Sequence, residues 1–358
     1  MSVIALAAQD VVGALDRYDT IVDARSEAEF ALDHLPGAVN WPTLDNQQRE
    51  AIGTLYVQVD PFEARKRGSA IAARNIANHI ECHVLSKTRD WSPLIYCWRG
   101  GQRSGSLAMV LGQIGFKVRL LQGGYKAFRA ALVADTARLV PQLRFEVVCG
   151  TTGSGKTRLL GALERGGAQV LDLEGLACHR SSVLGAIPGQ EQPVQKAFET
   201  RIWDVLRRFD AERPVYVESE SRKVGNVTVP SALMDRMRQS ACVHLMLSDS
   251  ERVGLLMEDY EFFTRDVEAL CERLDILSEI RGKAVVSGWK ESLRNGEVRA
   301  VVEDLLKLHY DPGYWNSMQR NFPLFESARR VAPANRSQAA MDTVAQELIE
   351  GQTASMGA

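Results

Sequence analysis

The segment that most constrains this chain is Gly150-Thr151-Thr152-Gly153-Ser154-Gly155-Lys156-Thr157, because of what stands on either side of it. Arg144 to Cys149 is an apolar run with strand character. After Thr157 the apolar residues recur at helical spacing to about Leu163. A strand that passes through a glycine-rich turn into a helix presents successive backbone N–H groups, and the positive end of the helix, to one point. With the spacing G-x-x-x-x-G-K-[ST], Gly150, Gly153, Ser154 and Gly155 wrap a diphosphate and Lys156 reaches its outer oxygens. The Thr157 hydroxyl is placed for Mg²⁺. Such a unit belongs in a parallel α/β sheet, whose ligands bind beyond the carboxyl ends of the strands.

Other strands should bring acidic groups to that end. Gln169 to Leu173 reads as one, carrying Asp172 and Glu174. Pro214 to Val217 is another, running into Glu218-Ser219-Glu220-Ser221-Arg222-Lys223. Glu218 is the first choice for a carboxylate organising Mg²⁺, and Asp172 the second, each weighed against a helix cap or a surface charge. Ala241 to Leu247 is a further strand, in which His244 reads as a core residue. Beyond Glu251 strand signals fade. Residues 251–282 and 297–309 carry helical periodicity, Asp311-Pro312-Gly313 should break the second helix, and the tail from Gly351 should fray. The aromatics Tyr310, Tyr314, Trp315 and Phe322, with Arg320 and Asn321 among them, are a mixture that can stack nucleotide bases, and read first as helix packing against the sheet.

A second turn in the first half has a different chemistry. Pro93 to Tyr96 is a short buried strand that ends at Cys97, followed by Trp98-Arg99-Gly100-Gly101-Gln102-Arg103 before a helix from Ser104 to Ile114. A cysteine at a strand-to-helix turn, beside Arg99 and Arg103, is placed to be a thiolate in an anion cradle. Upstream, Asp19 to Ala24 is a strand, and Ser26 with Glu29 makes a capping box for a helix through about Leu32. Residues 44–90 are mostly helical, with Pro61 at the first helical position behind the cap Asp60. Arg65-Lys66-Arg67 lies there and reads first as a solvated face.

At 358 residues the chain has room for two or three domains, divided as 1–138, 139–250 and 251–358. Six scattered cysteines, without metal-ligand spacing, suggest reduced thiols in a cytoplasmic protein. No apolar run approaches the roughly 20 residues of a membrane span. A net charge of −2 excludes a globally basic nucleic-acid binder but not a local basic patch.

Several of these segments carry a family likeness. Asp23-Ala24-Arg25 with Phe30, then His34-Leu35-Pro36-Gly37-Ala38 and Asn40, the Cys97 turn, and Leu121-Gln122-Gly123-Gly124-Tyr125 together resemble rhodanese domains, across about residues 10–137. That likeness implies an adduct-forming Cys97. Five residues separate Cys97 from Arg103, one more than is usual in sulfurtransferase members, which suits a larger anion such as phosphate or a substituted phosphate. It leaves open a cysteine-dependent phosphatase in which Cys97 is the nucleophile and Arg103 clamps phosphate oxygens.

A rhodanese-like module followed by a phosphate-binding loop resembles the bacterial tRNA 2-selenouridine synthase family. The stretches from Asp172 to Ala177 with His179-Arg180, and from Glu218 to Lys223, look like that family's own. The resemblance implies an N-terminal rhodanese-like parallel-sheet domain, then a P-loop NTPase-like α/β domain with a helical C-terminal part. It implies a transferase acting on wobble 2-thiouridine in the tRNA anticodon, with selenophosphate and geranyl diphosphate as co-substrates and no tightly bound cofactor beyond Mg²⁺. The 150–157 loop would hold the prenyl donor's diphosphate, and Arg222 would join nearby arginines. Cys97, with Arg99 and Arg103, would carry selenium as a selenopersulfide. A selenophosphate-supplying enzyme is an implied partner, and a monomer is admissible. The alternative from another class is an ATP-dependent kinase or NTPase with a phosphatase- or sulfurtransferase-like rhodanese domain.

Overall fold

The computed structural model describes residues 3–180, 185, 189–259 and 266–356. The chain divides into two compact units, residues 1–138 with 193–204, and residues 139–192 with 205–358. Both are α/β units on five-stranded parallel sheets.

In the first unit β1 (Val3–Leu6), β2 (Ile21–Asp23), β3 (Ala38–Asn40), β4 (Leu94–Tyr96) and β5 (Val118–Leu121) lie in the order β1-β5-β4-β2-β3. β2 and β4 are buried throughout, as inner strands of a sheet covered on both faces must be. The helices are α1 (Ala8–Val12), α2 (Glu27–Leu32), α3 (Asn46–Gln58), α4 (Pro61–His83), α5 (Gln102–Ile114) and α6 (Gly124–Leu139). Val22, Ile95, Leu107, Leu111 and Val118 form the core under α5. Each such side chain contributes about 1.5–3 kcal/mol by leaving water.

The capping box of α2 forms as its sequence indicates, and Asp60 accepts from the Glu63 amide with Pro61 in the first turn of α4. Two boundaries differ from expectation. β1 was not legible, being four residues that pair in register with β5. α5 starts at Gln102, so Arg103 belongs to its first turn.

In the second unit β6 (Phe145–Cys149), β7 (Gln169–Leu171), β8 (Val215–Glu218), β11 (Ala241–Leu245) and β12 (Arg329–Val331) form the sheet β12-β11-β6-β8-β7, with a small antiparallel pair, β9 (Lys223–Val224) and β10 (Val227–Thr228), apart from it. Its helices include α7 (Lys156–Arg165) and α8 (Leu173–Ala177). α9 (Gln195–Leu206) belongs through residue 204 to the first unit, and α10 (Ser231–Arg238) and α11 (Asp249–Asp259) belong to the second. Leu159, Leu163, Tyr216, Val243 and Leu245 share a core with the last helix, Gln338–Met356. Leu270, Leu274, Trp289 and Leu305 fill a second one, between the helices Val267–Leu274, Lys283–Arg294 and Val298–Leu305.

Four expectations are corrected here. The strand at Gln169 stops at Leu171, because Asp172 caps α8 by accepting from the Gly175 amide. A strand does exist beyond residue 251. β12 is a three-residue edge strand, mostly exposed, with no alternation to reveal it. Asp311-Pro312-Gly313 opens a helix, Asp311–Asn321, directly after the π-helical turn Leu306–Tyr310. Pro312 follows at once on the π-helical turn, so the residue without an N–H falls where the regular ladder is already interrupted. The tail from Gly351 continues as helix to Met356. Part of the helical expectation over 251–282 falls on 260–265, outside the described residues. No helix among the described residues is long and apolar enough to cross a membrane.

Candidate functional site

Each unit ends its central strand at a candidate site. In the first, β4 delivers Cys97 at the carboxyl end of the sheet, with 3% of the residue exposed. The loop that follows is pinned from below: the Tyr125 amide donates to the Cys97 carbonyl at 2.8 Å and the Lys126 amide to the Trp98 carbonyl at 3.1 Å. That closeness explains Gly124, where a side chain would run into the Cys97 carbonyl and the Gly100 amide. The Ser104 hydroxyl, buried on the first turn of α5, donates to Cys97 Sγ at 3.1 Å. The thiol thus stands at the N-terminus of α5 with the Ser104 hydroxyl on its sulfur.

The two arginines part company. Arg99 is exposed on the loop. Arg103 Nη1 donates to Glu29 Oε2 at 2.6 Å, and Arg49 lies 3.1 Å from the same oxygen. Burial pushes the Glu29 carboxyl up, but the Arg103 hydrogen bond and charge, with the Ser26 amide, outweigh it and hold the group below the usual carboxylate range. Trp98 stacks on Tyr125 with centroids 5.4 Å apart.

The Asp23-Ala24-Arg25 segment supports this site from beneath. Arg25, 1% exposed, pairs with Asp23 through several hydrogen bonds of 2.5–3.0 Å and donates to the Asp33 carbonyl at 2.7 Å. Its guanidinium lies 4.1 Å from the centre of the Tyr125 ring. The Tyr125 hydroxyl donates to Asp33 Oδ2 at 2.6 Å. Buried charges of this kind persist only when fully paired, so the network fixes Tyr125 and with it the floor of the Cys97 loop.

In the second unit β6 leads into the glycine-rich loop, with Gly153 and Gly155 at φ +78° and +88°. Those angles let the chain fold around an anion without a steric cost to a side chain. Lys156 Nζ donates to the Gly150 carbonyl at 2.7 Å, which holds the ammonium against the loop it would serve. Arg252 on α11 grips the loop from outside, donating to the Thr152 carbonyl from Nε at 3.1 Å and from Nη2 at 2.9 Å.

The carboxylates gather beside it. Thr157 Oγ1 donates to Glu174 Oε2 at 3.3 Å, and the Glu174 amide donates to Glu218 Oε1 at 2.8 Å. Glu218 is 2% exposed, and its Oε2 has no hydrogen-bond partner. Burial first, and then the charges of Asp172, Glu220 and Glu174, push its carboxyl well above the ordinary range. Asp172 is taken up by capping α8. Arg222 is exposed just before the β9–β10 pair. No cluster of three or more metal-ligating side chains stands ready among the described residues.

Residues 143–276 match the family model described as the tRNA 2-selenouridine synthase AAA domain, and residues 7–131 match the rhodanese-like domain. A tRNA 2-selenouridine synthase of Nitrosomonas eutropha is 30% identical over 375 aligned positions, covering 90% of this chain and 95% of that protein. The chain belongs to the tRNA 2-selenouridine synthase family. Synthases from Pseudomonas putida and Cupriavidus necator agree, at 31% identity over 90% of this chain and 91% of theirs, and 33% over 82% and 87%.

Within this member of the tRNA 2-selenouridine synthase family, three residues at the sites were not singled out by sequence. Ser104 was read only as the start of a helix. Glu174 was noted with Asp172 but not chosen, although it is the carboxylate that meets Thr157. Arg252 lies 100 residues from Thr152, and no local spacing connects them. Its one sequence signal is a basic residue within a helix that otherwise reads as packing.

Proposed function

We propose that the protein converts wobble 2-thiouridine of tRNA to 2-selenouridine, using geranyl diphosphate and selenophosphate. What carries the reading is one combination in a chain of this family: a cysteine loop built for an anion, and a separate glycine-rich loop built for a diphosphate.

In the first step the thiocarbonyl sulfur attacks C1 of the geranyl chain, the C–O bond breaks, and its electron pair leaves with diphosphate. The loop Gly150–Thr157 holds that leaving group through its N–H donors, and Lys156 balances the charge that grows on it. In the second step the Cys97 thiolate takes selenium from selenophosphate, the Se–P bond breaking with its electron pair left on phosphorus; the terminal selenium then adds at C2, the geranyl thiolate leaves, and a thiol reductant cleaves the Cys97 S–Se bond to release 2-selenouridine. Cys97 is the selenium carrier, with Ser104 and the α5 N-terminus beside its sulfur and Arg99 exposed on the loop to meet the donor's phosphate. Arg103, held by Glu29, shapes that loop.

The residues present fit a divalent cation at the second site: the unpartnered Glu218 oxygen and the Thr157–Glu174 pair would hold Mg²⁺. When bound it would offset charge on the departing diphosphate.

Reconstitution tests this directly. Thiolated tRNA, geranyl diphosphate, selenophosphate and a thiol reductant, with this protein as the one enzyme, should give first S-geranylated and then selenated tRNA by mass spectrometry. Nucleotide hydrolysis that depends on Lys156, with neither modified base formed, would favour the ATP-dependent alternative.

A further inference from the structure

The core of the first unit takes in the second half of α4, through Ile76 and Ile80, but not α3 or the first half of α4. α3 buries none of its thirteen residues, and α4 buries only Ala64 and Ile76 out of twenty-three. A helix normally turns its apolar side chains to a core. Here the large ones crowd the turn between the helices, where Tyr56, Val57, Val59 and Phe62 are 53–83% exposed. An exposed apolar group of this kind, rimmed by polar residues, marks a surface that meets a partner.

Charge gives a second, independent observation. The chain as a whole is −2, yet from Ala64 to Ile80 α4 carries Arg65, Lys66, Arg67 and Arg74 and no acidic residue. All four are exposed, and Arg65, Arg67 and Arg74 have no ion-pair partner among the described residues. Arg67 and Arg74 lie seven positions apart, two turns along one face, about 10 Å along the helix axis. Ala70 and Ala77, also exposed, line the same face with small side chains. Lys66 pairs with Glu63 and sits 5.1 Å from the centre of the Phe62 ring.

Protein interfaces also favour arginine and aromatic residues, so charge decides: cations on one helix with no acidic residue between Ala64 and Ile80 suit a polyanion. Unneutralised cations beside two exposed aromatic rings match instead the two chemistries of a single-stranded RNA loop, its phosphates and its unstacked bases. We propose that the α3–α4 hairpin docks the tRNA substrate, with Arg65, Arg67 and Arg74 on the backbone and Tyr56 and Phe62 stacked on unpaired bases. This rests on the tRNA reading above.

The test is fluorescence-anisotropy titration of thiolated tRNA with the full chain across a salt series. Replacing Arg65, Arg67 and Arg74 together by Ala should weaken binding at least tenfold and reduce the slope of log affinity against log salt by about two to three. Tyr56→Ala with Phe62→Ala should weaken binding about tenfold and leave the slope unchanged. All five side chains are exposed, and an unchanged melting temperature would verify the fold of each variant. If the wild type binds tRNA and both variants match it in affinity and slope, the proposal is overturned while the tRNA reading stands. If the wild type binds none, both fall. Loss of a self-associated species on sedimentation, with RNA affinity intact, would make the hairpin an interface between copies and overturn the proposal.

Discussion

The guanidinium of Arg252 donates twice to the carbonyl of Thr152, at 3.1 and 2.9 Å, across 100 residues of sequence. Arg252 is 5% exposed and is itself held by Asp311 at 2.6 Å and Asp249 at 2.9 Å. In a trans peptide the next N–H, that of Gly153, points opposite to the carbonyl. Fixing the carbonyl therefore fixes one donor of the diphosphate loop.

Arg252→Ala should accordingly weaken binding of inorganic diphosphate, read by calorimetry, by tenfold or more. Each hydrogen bond from a charged group contributes about 1.5–3 kcal/mol, and the preformed cradle loses two. Arg252→Lys keeps the charge but not the fork, and should recover only part of the affinity. Unchanged binding in the Ala variant would mean that the loop holds its shape without the arginine.

Lys156→Ala should abolish geranyl transfer while leaving Cys97 as reactive toward iodoacetamide as in the wild type. Lys156 is the cation that the loop itself holds in place, through the Gly150 carbonyl. Full yield of prenylated tRNA from the variant would remove the glycine-rich loop from the reaction.

Glu218 makes a prediction about pH. Burial and its acidic neighbours raise its carboxyl in the folded chain, so the folded state binds this proton more tightly than the unfolded one. The stability it contributes is therefore complete below the ordinary carboxylate range and is lost as pH rises through the raised value. Glu218→Gln should flatten the fall in melting temperature as pH rises above the ordinary carboxylate range. At the upper end Mg²⁺ should raise the wild-type melting temperature and not the variant's. A variant that tracks the wild type at every pH would contradict this placement of the charge.

Ser104→Ala removes the hydroxyl that donates to Cys97 Sγ. Losing one such donor, about 1 kcal/mol, should slow alkylation of Cys97 at neutral pH by roughly fivefold. Selenation should slow with it, and geranylation should not. Equal alkylation rates would assign Ser104 to packing alone.

How far the sequence reached depends on how local each feature is. The glycine-rich loop, the Cys97 turn and the Asp60-Pro61 helix start are contiguous patterns, and the chain folds them as read. Short edge strands were missed. Neither Val3–Leu6 nor Arg329–Val331 has length or alternation enough to show before its partner strand is in place. Asp172 reads as a strand end because the short helix it caps, Leu173–Ala177, has too few residues to show a helical period. Long-range pairings were out of reach altogether. Arg103 with Glu29 spans 74 residues, and Arg25 with Tyr125 is a packing relation set by the sheet. The residues proposed to react stand in contiguous motifs, whereas several that orient them come from other elements.

The division of labour between the two loops is the central claim, and one variant tests it most directly. Cys97→Ala should be given thiolated tRNA, geranyl diphosphate, selenophosphate and a thiol reductant, and the nucleosides followed by mass spectrometry. S-geranylated 2-thiouridine should accumulate to the wild-type level with no 2-selenouridine. Formation of 2-selenouridine by the variant at the wild-type rate would show that Cys97 does not carry selenium.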